Sequence, residues 1–198
     1  AYLQPGKLTV LFGPSNNERS RFAIGLISGL LESDRHIEAK PVFWFNRRAL
    51  YLEILKMLLQ HESSRSLARC GGDHQEAMLQ AIQHIEQSGL EYDSTCKSAE
   101  AICTKVNARQ NSKPVSLIVV DGLEHFREGQ TSEALATRLP KQLIQLRQLA
   151  QETASPILVT CPELPSSEKE ALSLWADLEI TLTESPVEEP RKCREDKR

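Results

Sequence analysis

Leu8-Thr9-Val10-Leu11-Phe12-Gly13-Pro14-Ser15-Asn16-Asn17-Glu18-Arg19-Ser20 is the stretch on which the reading of the fold turns. Its first five residues are a short β-rich run, and 13–17 are turn formers. Beyond them Phe22, Ile24, Leu26, Ile27, Leu30 and Leu31 recur with helical period. This is strand, loop, helix. The pattern repeats at Pro41-Val42-Phe43-Trp44-Phe45, a second bounded run. A helical segment over 49–60 follows it, with Leu50, Ile54, Met57 and Leu58 on one face. Val115-Ser116-Leu117-Ile118-Val119-Val120 ends in Asp121-Gly122, and such near-continuous β-branched runs suit a strand buried on both faces of a parallel sheet.

Two more strands are expected at 156–160 and 178–182, separated by a helical turn around 171–175. A long helix starting at Thr131 or Ser132 carries Leu135, Leu139, Leu143, Leu146 and Leu149, with Ile144 beside the stripe and Pro140 as a kink. The middle of the chain, 61–111, is less regular. Ser63-Ser64 and Gly71-Gly72 interrupt it, Asp73 caps a helix over 74–87, another helix covers 99–108, and 66–69 is a candidate short strand. The expected architecture is α/β, a central, mostly parallel sheet flanked by helices over residues 1–184. A charged tail over 185–198 has too little apolar surface to order.

The 198 residues are 40% hydrophobic and 26% charged, enough for one domain with a real core and unlike a collagenous or wholly disordered chain. A formal net charge of -3 excludes a polycation that coats DNA or anionic lipid, so nucleic-acid contact must come from a local patch or a partner. The five cysteines form no CxxC pair or Cys/His cluster. They read as reduced thiols of an intracellular protein, with no structural zinc. No apolar run has the length of a membrane span, and neither a signal peptide nor a membrane contact is expected.

A loop after the first strand that opens the first helix is where backbone N–H groups cradle phosphate. Gly13 to Ser20 occupy the frame G-x-x-x-x-G-K-[ST], with Gly13 and Ser20 matching. Glu18 stands at the second glycine, where it brings a side chain and a negative charge beside phosphate oxygens. Arg19 stands at the lysine, keeping the charge without the compact ammonium. These departures disfavour ATP and magnesium, and no bound cofactor or metal is expected. Asp121, at the end of a hydrophobic strand, has the place of the acidic residue that holds a magnesium water shell, although Asp-Gly is also an ordinary turn. The position for a catalytic carboxylate after the second strand holds Asn46-Arg47-Arg48. Glu124 reads as a solvated cap, and Thr160-Cys161 as either a γ-phosphate sensor or a simple turn. No catalytic residue is therefore assigned.

Arg47 and Arg48, at a strand end where such sheets bind ligands, and the tail residues Arg191, Lys192, Arg194, Lys197 and Arg198 are the candidate nucleic-acid contacts. The pair reads equally as a solvated face; the tail is the stronger electrostatic feature, its other reading a soluble end. Trp44 and Phe45 point to opposite faces of a strand and are expected in the core.

In their order, 8–21, 41–50, 115–126, 156–161 and 176–182 resemble the RecA-like P-loop ATPase core. Pro41-Val42-Phe43-Trp44-Phe45-Asn46-Arg47-Arg48-Ala49-Leu50 and Leu117-Ile118-Val119-Val120-Asp121-Gly122-Leu123-Glu124-His125-Phe126 are most similar to the SWSAP-type recombinase paralogs, the ATPase-like partners of a SWIM-domain zinc protein in the animal Shu complex. The resemblance implies a nuclear subunit of a heterodimer with the SWIM-domain protein. Such a subunit promotes recombinase filaments on single-stranded DNA in homologous recombination, with the recombinase or its paralogs as further partners and the DNA met through the complex. It also implies that Gly13, Arg19, Ser20 and Asp121 are the positions of a vestigial nucleotide site. A weak DNA-stimulated ATPase of the same pathway and a scaffold subunit in an unrelated assembly, such as Elongator, are the alternatives.

Overall fold

The computed structural model describes residues 3–33, 41–48, 51–87, 89–110, 115–127 and 134–183. The tail, including Arg191, Lys192, Arg194, Lys197 and Arg198, lies outside the described residues, as do the expected helix starts at Ala49, Thr131 and Ser132. The strands are β1 (Leu8–Gly13), β2 (Val42–Asn46), β3 (Leu90–Asp93), β4 (Leu117–Asp121), β5 (Ile157–Pro162) and β6 (Leu178–Thr181). The helices are α1 (Asn16–Ser33), α2 (Tyr51–Arg69), α3 (His74–Gln87), α4 (Ala99–Gln110), α5 (Leu135–Thr153) and α6 (Ser166–Ser173), with a 3-10 turn at Leu123–His125.

The strands form one six-stranded sheet in the order β3-β2-β4-β5-β1-β6, and every pairing is parallel. The two faces follow the period of two along each strand. Val10, Phe12, Phe43, Phe45, Ile118, Val120, Ile157 and Val159 pack with Ile102 and Val106 of α4 and Leu139, Leu143, Leu146 and Leu149 of α5. Leu11, Val42, Trp44, Leu117, Val119 and Leu158 pack on the other face with Ile24 and Ile27 of α1 and Ile54 and Leu58 of α2. Trp44 and Phe45 are wholly buried on opposite faces, as expected.

The middle of the chain departs from the sequence reading. Residues 66–69 are the last turn of α2 rather than a strand. Ser63 and Ser64 do not break that helix, because both hydroxyls donate back to the Gln60 carbonyl, at 3.2 and 2.8 Å. The turn into α3 falls at Gly71 and Gly72, whose φ of 62° and 96° few other residues tolerate. Asp73 then caps α3, its Oδ1 accepting from the backbone of Gln75 and Glu76 at 2.9 and 3.2 Å. The strand of this region is β3, short and polar because it lies at the sheet edge and pairs with β2 alone. In α5 the helix runs on through Pro140.

Candidate functional site

Register builds the site. Asn46 pairs with Asp121, and Val120 pairs with Val159, so Asn46, Asp121 and Thr160 stand abreast at the C-terminal ends of β2, β4 and β5. All three lie on the α1 face. Asp121 is buried, and its Oδ2 accepts from Ser20 Oγ at 2.6 Å and Asn46 Nδ2 at 2.7 Å, while Oδ1 accepts from Thr160 Oγ1 at 2.7 Å. Thr160 Oγ1 in turn accepts from the Gly122 N–H at 2.7 Å. Ser20 and Asp121 are thus brought together as the motif frame predicts, but as a closed network of neutral donors around one carboxylate. Gly122 has φ 77°, and a Cβ there would stand 2.9 Å from the His125 ring, so a side chain at that position meets both strain and a clash.

The loop after β1 is shorter than a phosphate cradle, because α1 already begins at Asn16. Ser15 is its cap: the Glu18 N–H donates to Ser15 Oγ at 3.3 Å, and Ser15 Oγ donates to the Glu18 carboxylate at 2.9 Å. Ser15 and Glu18 stand at the capping-box spacing of three, a signal present in the sequence and missed there, although the Glu18 carboxylate takes the Ser15 hydroxyl rather than its backbone N–H. The Arg19 N–H is likewise taken up by the Ser15 carbonyl at 3.2 Å.

Arg19 does not project toward solvent. It is 1% exposed, and its guanidinium donates to the Gly13 carbonyl at 2.8 Å, to Glu124 Oε1 at 2.7 Å and to the Asn16 side chain. Glu124, read from sequence as a solvated cap, is instead the largely buried counter-ion of Arg19, with its side chain 13% exposed. A Cβ on Gly13 would come within 3.1 Å of the Arg19 side chain, so glycine at 13 makes room for the arginine. Arg138, from α5, donates to the Glu124 carbonyl at 2.9 Å and closes the far side.

Beside this network an open cleft of about 580 Å³ lies between α1, α2 and the ends of β2 and β4. Its walls include Ser20, Asn46, Arg48, Glu53, Asp121 and His125. Burial, with Arg48, Arg19 and Arg127 nearby, holds the His125 imidazole below its ordinary value against the opposing pull of Glu124. At the same edge, burial and the charges of Asp121, Glu53 and Asp93 push the Tyr92 phenol up to about 12. Arg47 and Arg48 are exposed at the end of β2, and the Arg48 backbone N–H donates to Asn46 Oδ1 at 2.7 Å. Among the described residues no group of three or more His, Cys, Asp or Glu could hold a metal ion, and Cys96, Cys103 and Cys161 are free thiols. No helix among the described residues is long and apolar enough to cross a membrane.

The fold has counterparts among solved structures. A DnaB-like replicative helicase, solved in a study of its interactions with primase, superposes with a TM-score of 0.75 at 13% identity, covering 92% of this chain and 48% of that one. A second structure, an isolated ATPase domain, gives 0.73 at 13% identity, covering 91% of this chain and 70% of that one. The fold is that of the RecA-like P-loop ATPases. The chain spans about half the length of the helicase and shares the architecture of that part. No family model matches the sequence, and no curated protein matches it.

Proposed function

We propose that this chain is a non-catalytic RecA-like subunit of a homologous-recombination mediator. It acts in the nucleus with a SWIM-domain zinc protein to promote assembly of the recombinase, or its paralogs, on single-stranded DNA. The observation that carries the non-catalytic part is Arg19, buried against Glu124 and the Gly13 carbonyl where a nucleotide machine needs a free cation facing phosphate. The pathway and the partner are supported by the similarity of 41–50 and 117–126 to the SWSAP-type paralogs. A RecA-like domain that has lost its chemistry keeps the surfaces by which such domains assemble. A second reading, a weak DNA-stimulated ATPase, is favoured by the open cleft beside Ser20 and Asp121.

Two measurements decide between them. Calorimetric titration of the purified chain with ATP and magnesium is expected to give no heat of binding, and micromolar affinity supports the ATPase instead. Co-expression with the SWIM-domain protein is expected to yield a stable heterodimer burying at least about 1,000 Å². A monomer that forms no such complex, and whose loss leaves recombinase foci intact in cells, defeats the mediator reading.

A further inference from the structure

The two edges of the sheet are finished differently. At one, β3 carries Glu91 and Asp93, which Arg109 and Lys105 engage. At the other, β6 pairs with β1 alone, and its outer side is unpaired among the described residues. The Leu182 N–H, just past the strand, donates inward to the Phe12 carbonyl at 2.8 Å. Backbone groups alternate sides along a strand, so Glu179 and Thr181 direct theirs outward. Side chains alternate between the two faces in the same way. The helix α1 packs over β1, β4 and β5, and on that face Leu178 is 39% accessible while Ile180 and Leu182 are half-buried. On the α6 face Lys169 donates to Thr181 Oγ1 at 2.7 Å and is held over the Phe12 ring. Neither Lys169 nor Glu179 is ion-paired among the described residues.

We propose that β6 is a pairing edge for a second copy of this chain, the two strands running antiparallel about a two-fold axis at Ile180. That register is self-complementary. Glu179 lies opposite Thr181 of the second copy, so their outward backbone groups exchange hydrogen bonds, and Ile180 meets its own counterpart in a non-hydrogen-bonded pair. On the α1 face Leu178 meets Leu182 of the second copy, twice over, and the half-open apolar stripe becomes continuous. On the other face the Lys169 ammonium, held at Thr181, stands beside Glu179 of the second copy, and the same pair repeats across the axis. Moving the axis to Glu179 sets two carboxylates against each other, and placing it between residues sets outward groups against inward ones. Four residues of strand bury little area, so the dimer belongs to the weak, transient class. The pairing goes beyond the mediator reading and uses none of its features.

The test is sedimentation equilibrium of the full chain across the micromolar range, where reversible association into a dimer is expected. Glu179→Lys and Lys169→Glu each set like charges across the axis, and each is expected to weaken association at least about tenfold. Mixed in equal amounts, the two variants restore every opposite-charge pairing, and the mixture is expected to associate as wild type does. Only a contact between copies gives that result, and it requires both variants to be folded. Removing 184–198 is expected to leave association intact. The proposal is overturned by a chain that stays single throughout that range, by single variants that associate as wild type does, by a mixture no better than its components, or by a loss confined to removal of 184–198. A chain that stays single yet forms the heterodimer with the SWIM-domain protein defeats the pairing alone. One that pairs with itself and takes no such partner defeats the mediator reading alone.

Discussion

Arg19 and Glu124 are the pair on which the chemistry turns. Two buried opposite charges gain little net stability over an apolar pair of the same shape, but removing one leaves the other uncompensated. Glu124→Gln is therefore expected to cost about 3 kcal/mol in urea unfolding, and Arg19→Met combined with Glu124→Leu much less than the sum of the single changes. Additive costs would show that the two residues do not act as a pair. Asp93 is a second case. It accepts from the Thr95 and Cys96 backbone, from the Thr95 hydroxyl and from the Lys105 ammonium. Burial pushes its carboxyl up, but Lys105 and the turn donors outweigh that and hold it well below the usual carboxylate range. With the folded value depressed, its stabilisation is present above the unfolded value and is lost as pH falls through the folded one. Asp93→Asn is expected to cost about 2 kcal/mol at neutral pH, with the gap from wild type closing below the ordinary carboxylate pKa of about 4. A gap that stays constant across that range would remove the ionised carboxylate from the explanation.

At the scale of elements, the decisive feature is where α1 starts. The Ser15 side-chain cap begins the helix at Asn16, so backbone donors that a phosphate would need are already used by the cap and the first turn. Ser15→Ala is expected to lower stability by about 1 kcal/mol, read from the urea midpoint, without creating a nucleotide site. Glu18→Gly, Arg19→Lys and Glu124→Ala combined are expected to bind a fluorescent ATP analogue at least tenfold more tightly than wild type, because the cap, the misplaced carboxylate and the internal counter-ion go together. No gain would locate the obstacle elsewhere in the loop. The helix α5 gives a complementary lesson. Its apolar positions Leu139, Leu143, Leu146 and Leu149 are all buried against the sheet, while Ile144 beside them is 40% accessible. Arg138 and Arg147 on the same helix are engaged with the Glu124 carbonyl and with Asp177.

Across the whole molecule, the sheet is a wall with a core on each side, and the Asp121 network and a hollow lined by Arg47, Arg48, Lys97, His125 and Arg127 both sit at its C-terminal edge. Trp44 anchors the α1 and α2 side at the centre of the sheet and is wholly buried, so Trp44→Ala is expected to cost about 3–5 kcal/mol by urea titration, while Arg47→Ala, exposed beyond the strand end, stays within about 0.5 kcal/mol. Comparable costs would contradict the two-sided core. The α/β class, the strands β1, β2, β4, β5 and β6, the helix over 74–87 with its Asp73 cap, and the proximity of Ser20 to Asp121 are all legible along the chain. Each rests on local signals, an apolar period, a cap or a motif spacing, that act within a few residues. The short edge strand β3 is not legible, since it holds only four residues, two of them acidic, and gains its pairing from β2 alone. Nor is the direction of Arg19, the burial of Glu124 or the gathering of Lys97 with Arg47 and Arg127. Arg19 and Glu124 lie 105 residues apart, and the cations of the hollow come from different loops. Which of these side chains meet depends on which loops the strand order brings to one edge, and no local period carries that order.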